Sequence, residues 1–174
     1  ASERRVLAMA AYAGSVLARL LPLVFAPLVI RRFKARHLAL AGAIVVAGYL
    51  PYAGARGAMF MGLGTYAENW EYNSVVFPAA RAALEPVVPV ETLRSAVTRF
   101  QAALGDPQWC RPLARWVYPA PLARGLLAIA LLAGMLVISL DVLEIERELL
   151  FATGLLLILS PTVHPWYVLW IVPL

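Results

Sequence analysis

Apolar runs alternate with more polar segments along this chain, and all the runs except a short one at about 38–52 are long enough to cross a bilayer. They cover about residues 6–30, 38–52, 122–140 and 149–174. Because a spanning helix needs roughly 20 mostly apolar residues, the pattern predicts an all-α, polytopic transmembrane helix bundle of about four spans. The composition agrees: 62% of the residues are hydrophobic, 14% are charged and the mean hydropathy is +0.76. Soluble domains carry about 25% charged residues.

The first two apolar runs differ in what they predict. Arg19 and two prolines lie near the centre of the first run, and both residue types disfavour a straight helix in lipid. We therefore predict a kinked span or two half-helices. The second run contains the small-residue stretch AGAIVVAG, which predicts close packing against another helix. Between the runs, a basic block of Arg31, Arg32, Lys34 and Arg36 predicts a cytoplasmic loop.

The stretch at about 53–121 has no apolar run long enough to cross a bilayer, and we predict that it forms a large, helical extracytoplasmic loop. Within it, Leu93, Val97, Phe100 and Leu104 recur at helical spacing. This spacing predicts an amphipathic helix. Two placements are open, since such a helix can lie at the membrane interface or pack on the rest of the loop.

An aromatic motif, GLGTYAENWEYNSVVF, lies earlier in the same loop. It places Tyr66, Trp70, Asn73 and Phe77 at i, i+4, i+7 and i+11, which predicts one helix face with three rings and an amide. Such a face can pack against the protein, stack on a sugar or line a lipid groove.

A second polar segment, DVLEIERE, follows the third apolar run. Its acidic side chains Glu144 and Glu148 repel each other at helical i, i+4 spacing. The segment therefore predicts a solvated turn.

The last apolar run is broken in the motif SPTVHPWYVLW, where Pro161 and Pro165 bracket His164. Each proline lacks an N–H and disfavours helix in the residue before it. In hydrocarbon such a break survives only inside protein or beside a wet cavity, and we predict a cavity. His164 can donate to a phosphate oxygen or carry a proton, or it can stabilise the break by bonding a freed carbonyl. Tyr167 is an interface anchor or a ligand contact.

The charge pattern limits the predicted partners. The net charge is +5, and fourteen of the fifteen basic residues are arginines scattered along the chain. This distribution favours membrane lipid headgroups or phosphates over nucleic acid. Arg19, inside an apolar run, can neutralise a lipid phosphate, pair with a carboxylate that is missing from this fragment, or extend to the interface. A single cysteine, Cys110, excludes an intramolecular disulfide.

Four motifs, taken in order, resemble the later half of bacterial GT-C glycosyltransferases: ARLLPLVFAPLVIRR, GYLPYAG, LGTYAENWEYNSVVF and LSPTVHPWYVLWIVPL. The similarity is to polyprenyl-phosphate-mannose-dependent mannosyltransferases and glycosyltransferase family 87, and it covers the chain except about 79–121. The resemblance implies an inverting enzyme of the bacterial plasma membrane. Such an enzyme moves a sugar from a lipid-linked, polyprenyl-phosphate donor to a glycan or glycolipid acceptor on the extracytoplasmic side. It implies no cofactor beyond that donor and leaves the need for a metal open.

The residues and the resemblance together predict a substrate-binding site. Its candidates are His164, Arg19, Tyr66, Trp70, Asn73 and Tyr167. His164 and Arg19 are the expected donors to the departing phosphate, which needs charge stabilisation more than an acid. The family's general base is an aspartate in the first extracytoplasmic loop, and no residue here matches it. We therefore expect a C-terminal-half fragment that is inactive alone.

Two other classes of function are compatible with these patterns. A transporter or lipid flippase also uses broken helices, but it requires a second, symmetry-related break, and the region of Pro22 and Pro27 matches SPTVHP poorly. A noncatalytic membrane subunit could lend its aromatic loop to a partner enzyme.

Overall fold

The computed structural model describes residues 2–62, 65, 71–105, 107–141 and 143–170. Within these ranges the chain is helical apart from turns, bends and one isolated β-bridge, which confirms the predicted all-α class. The α-helices are α1 (Ser2–Ala18), α2 (Ala26–Arg32), α3 (Ala35–Tyr49), α4 (Val76–Leu84), α5 (Val90–Ala103), α6 (Pro119–Leu140) and α7 (Ile145–Leu159). The 3₁₀ segments are Leu21–Phe25, Leu50–Phe60, Gln108–Val117 and Pro165–Trp170.

Among the described residues, two helical stretches are long and apolar enough to cross a membrane: Ala35–Ala55, which includes α3, and α6. They match the apolar runs predicted at 38–52 and 122–140. In the most apolar 18-residue window of Ala35–Ala55, only 6% of the residues are buried inside the protein. In the corresponding window of α6, 22% of the residues are buried. An apolar helix in the core of a soluble protein is buried, so the exposed apolar surface supports association with a membrane.

Both predicted breaks are present. α1 ends at Ala18, and the 3₁₀ segment Leu21–Phe25 separates it from α2, so the first apolar run forms short helices. Pro22 lies at the start of that segment, where a missing N–H costs nothing. The last run is broken after α7, and 3₁₀ structure resumes at Pro165–Trp170.

The chain divides into two compact units. One consists of Ala1–Asn69 with Leu132–Ala152, and the other of Trp70–Leu131 with Thr153–Leu174. Two of the three unit boundaries fall within α6 and α7, and each unit is described by itself below.

In the first unit, α1 packs along α3. Met9 and Ala13 of α1 are buried against Ala41 of α3. Further along the contact, a β-carbon placed on Gly48 would lie 2.6 Å from Cδ2 of Leu17. This close approach confirms the packing that AGAIVVAG predicts, since only a small residue leaves room for the facing side chain.

Gly48→Ile should destabilise the first unit by about 1–3 kcal/mol, because the added side chain must displace Leu17 from the contact between α1 and α3. Gly42→Ile is the matched control in the same helix, since a β-carbon there meets no atom within 4 Å. The free energy of unfolding of both variants is measured in detergent by circular dichroism. Equal stability of the two variants would show that the helices do not approach closely at Gly48.

The prediction of a solvated turn is wrong for Glu148, whose side chain is only 1% exposed. Glu148 lies in the first turn of α7, where Arg32 donates through Nε to its Oε2 at 2.8 Å. Arg31 lies 3.8 Å from Oε1 and also donates to the carbonyls of Ser139 and Asp141. The two arginines offset the repulsion that the local spacing implies, and they come from more than a hundred residues away in the chain.

Most of the basic block is helical, although we predicted a loop. Arg31 and Arg32 belong to α2, and Arg36 belongs to α3. Two residues connect these helices. Because Arg31 and Arg32 hold Glu148, these two charges have a packing role in addition to any effect on membrane orientation.

The second unit is built around Phe77, which is fully buried at the start of α4. It packs against Ala123 and Leu127 of α6, and Leu159 at the end of α7 lies against the same cluster. The core therefore joins the start of α4 to the residue that precedes the break in the last apolar run.

The predicted amphipathic helix is confirmed as α5. It ends at Ala103, and Gly105 follows with a φ of +78°, a left-handed conformation that glycine adopts without strain. No residue of α5 is buried. Among the described residues, none of the helices that lie wholly within the predicted loop is long and apolar enough to cross a membrane.

Candidate functional site

The break in the last apolar run is paired with a second segment of the chain. Residues 72–74 lie beside residues 160–164, and we call this pairing the seam. The N–H of Tyr72 donates to the carbonyl of Pro161 at 3.2 Å, and the N–H of Val163 donates to the carbonyl of Tyr72 at 2.7 Å. These two bonds form a parallel β-bridge. The backbone that the prolines release from the helix is thus bonded to protein.

Side chains complete the seam. The Ser74 hydroxyl donates to the carbonyl of Ser160 at 3.0 Å and accepts from the N–H of Phe77 at 3.3 Å, so it also bonds the first turn of α4. The Ser160 hydroxyl donates to the carbonyl of Thr162 at 2.8 Å. We predicted a wet cavity because freed backbone groups need partners. Here the seam supplies those partners, so the break does not by itself require a cavity.

His164 is held at the end of the seam between two tyrosine rings. Its ring centroid lies 5.5 Å from that of Tyr72, at an interplanar angle of 31°, and 5.3 Å from that of Tyr167, at 86°. Both distances are in the range of favourable ring contacts. His164 is partly exposed and Tyr72 is exposed. The imidazole therefore has a defined orientation and is accessible from outside the protein.

The prediction of one helix face for the aromatic motif is wrong for its later residues. Residues 71–75 are not helical, and α4 begins only at Val76. Asn73 has a φ of +50°, a left-handed conformation that asparagine tolerates better than most residues, and the seam holds its neighbour Tyr72. Long-range pairing has overridden the local periodicity. Phe77 is part of the core instead of an aromatic binding face.

The six predicted site residues have different outcomes. Asn73, His164 and Tyr167 come together at the seam or beside it, and Asn73 is exposed there. Tyr66 and Trp70 lie outside the described residues. Arg19 belongs to the first unit, whereas the seam belongs to the second.

Arg19 follows the last helical residue of α1, and its side chain is exposed. Its backbone N–H donates to the carbonyl of Ser15 at 3.0 Å. Among the described residues, no carboxylate forms an ion pair with it. The carboxylate considered as a partner for Arg19 was expected outside this sequence, so that role stays a prediction.

Sequence reasoning missed Arg124, a cation near the start of α6. Its guanidinium carbon lies 4.7 Å from the centroid of the Phe77 ring, within cation–π range. Its Nε is buried and has no hydrogen-bond partner among the described residues. The sequence signal was an arginine at the beginning of a nearly pure apolar run, which is also typical of an ordinary interface anchor.

The second unit thus combines donors and a cation around the seam and the start of α4. His164 and the tyrosines are potential donors, and Arg124 carries a positive charge. The nearby carboxylate of Glu71 is engaged by Arg81 at 3.2 Å. This set suits an anionic or hydroxyl-rich ligand better than a cation. No group of three or more His, Cys, Asp or Glu side chains in the described ranges could hold a metal ion.

Comparisons with known proteins add no relative: no family, curated protein or solved structure matches this chain. A functional assignment therefore rests on the chain's own residues and on the motif resemblance.

Proposed function

We propose that this chain is part of a membrane-embedded glycosyltransferase of the GT-C type, with mannose as the expected sugar. The enzyme transfers the sugar from a polyprenyl-phosphate donor to a glycan or glycolipid acceptor on the extracytoplasmic side of the bacterial plasma membrane. The observation that carries the proposal is the broken apolar segment at 160–164, which presents His164 beside two tyrosines. We further propose about four spans, formed by the first apolar region, Ala35–Ala55, α6 and α7 with its broken continuation.

The position of His164 fits a lipid-linked substrate. It follows α7, an apolar helix that ends at Leu159, so the polyprenyl chain can stay in hydrocarbon while its phosphate reaches the imidazole. A departing phosphate is already a stable anion, and oriented donors lower the barrier by stabilising the charge as it develops. In the proposed mechanism, His164 donates to that phosphate. Arg19 is proposed as a second donor from the motif resemblance alone.

The surroundings of His164 fit a sugar. Tyr72 and Tyr167 present aromatic rings, and the exposed amide of Asn73 follows Tyr72 in the seam. Aromatic faces pack on sugar rings, and amides bond their hydroxyls. Tyr66 and Trp70 are proposed to extend this surface. The base that activates the acceptor hydroxyl is proposed to be the family's aspartate, which no residue here matches.

Substitution of His164 tests the proposal. In the full-length enzyme, His164→Ala should lower sugar transfer tenfold or more, since one positioned donor readily supplies about 1.4 kcal/mol of transition-state stabilisation. His164→Phe should cause a similar loss, because it keeps the ring contacts with Tyr72 and Tyr167 but lacks the nitrogen donors. Transfer is measured with a radiolabelled polyprenyl-phosphate mannose in detergent.

Arg147→Ala is the control, because Arg147 is exposed on α7 and far along the helix from the break. Its transfer rate should equal that of the unaltered enzyme. Circular dichroism and gel filtration verify that each variant is folded. Unchanged transfer by a folded His164→Phe enzyme would exclude His164 as the phosphate donor.

A further inference from the structure

The apolar face of α5 is largely exposed. Leu93, Phe100 and Leu104, at helical spacing on one side, are 37%, 52% and 48% exposed, and Val97 between them is only partly buried. The described part of the chain therefore covers this face only in part. An apolar stripe of this kind is costly in water, and its exposure indicates contact with a membrane or another molecule.

The opposite face of α5 is polar and basic. Arg94, Ser95, Thr98 and Arg99 line a shallow pocket there together with Glu91. Residues 90–117 contain four arginines against two acidic residues. Basic polar faces opposite aromatic and leucine side chains are typical of helices that lie in the plane of an anionic membrane interface.

The position of α5 in the second unit places it near the end of a candidate membrane span. α5 lies against the 3₁₀ segment Gln108–Val117. Trp116 in that segment packs on Gly125 in the first turns of α6, where an added β-carbon would lie 2.9 Å from the indole. Trp116 and Tyr118 are 41% and 43% exposed. Exposed Trp and Tyr side chains at the start of an apolar helix are typical of the headgroup level of a bilayer.

We propose that α5 lies in the interface of an anionic membrane. Its apolar face, formed by Leu93, Val97, Phe100 and Leu104, enters the upper acyl region, and Arg94 and Arg99 face lipid phosphates. An anionic lipid surface matches both the apolar stripe and the excess of arginines. A soluble protein partner would instead have to bind α5 at the headgroup level of the bilayer, where Trp116 and Tyr118 are placed. The proposal is independent of sugar transfer.

Site-directed spin labelling in the full chain tests the placement. On a Cys110→Ser background, nitroxides are attached to Phe100→Cys and Leu104→Cys on the apolar face, and to Ser95→Cys on the polar face as the matched control. The protein is reconstituted in vesicles of phosphatidylcholine and phosphatidylglycerol. Labels at 100 and 104 should collide several-fold more often with oxygen than with a water-soluble nickel complex, and the label at 95 should show the reverse.

Two results would overturn the placement. If all three labels collide mainly with the nickel complex, α5 projects into water. If the labels at 100 and 104 are shielded from both reagents, another protein surface or a second copy covers the helix. The charge contribution is tested with vesicles of phosphatidylcholine alone, in which the contrast between 100 and 95 should shrink. An unchanged contrast would overturn the role of Arg94 and Arg99.

Discussion

Arg32→Met should lower the free energy of unfolding by about 3 kcal/mol, because it leaves the buried carboxylate of Glu148 without its main partner. The two hydrogen bonds from Arg32 to Oε2 are lost, and Arg31 remains 3.8 Å away from the other oxygen. Methionine keeps much of the packing volume, so the loss reports the uncompensated charge. Denaturant titration in detergent, followed by circular dichroism, measures it.

Arg36→Met is the matched control, since Arg36 is an exposed arginine nearby in α3. It should change stability by less than about 0.5 kcal/mol. The double variant Arg32→Met with Glu148→Met should recover most of the loss, because an apolar pair of similar volume needs no charge compensation. If Arg32→Met is no less stable than Arg36→Met, Glu148 does not depend on Arg32 for its burial.

Phe77→Ala should cost about 3–5 kcal/mol, since it leaves a cavity at the centre of the second unit. The effect extends to the seam, because Phe77 packs against Leu159, the residue that precedes the break, and its N–H bonds Ser74. Faster hydrogen exchange of the amides of Tyr72 and Val163 is therefore expected along with lower stability.

Phe151→Ala provides the comparison, as this phenylalanine of α7 is 55% exposed. It should change stability by less than about 0.5 kcal/mol and leave exchange at the seam unaltered. Phe77→Leu should fall between the two because it refills part of the volume. A Phe77→Ala protein with a protected Tyr72 amide would show that the seam is held independently of the core.

Features that depend on local sequence were predictable. The apolar runs at 38–52 and 122–140 correspond to helices because length and hydropathy are properties of one segment. Breaks were predictable because proline acts on its own backbone and on the preceding residue. The helix α5 was predictable from its periodicity for the same reason. The close contact of α3 with another helix was predictable from its small residues.

Features that depend on distant partners were not predictable. Glu148 looks solvated beside Glu144, and only the arrival of Arg31 and Arg32 explains its burial. The spacing of Asn73 fits a helical pattern in the sequence, but its neighbour Tyr72 forms a β-bridge with Thr162. Similarly, the three residues that meet at the seam were expected as candidates, but nothing in the local sequence indicates that Tyr72 is the ring that contacts His164.

The seam pairs two segments that are synthesised at different times. Ser74 and Ser160 are 86 residues apart, and closing so large a loop carries an entropic cost that is repaid only at the end. During synthesis, residues 72–74 emerge long before their partner, and until it arrives their backbone groups bond water. A chain that stops before residue 160 is therefore expected to be cleaved by proteases in this stretch more readily than a chain in which the seam has formed.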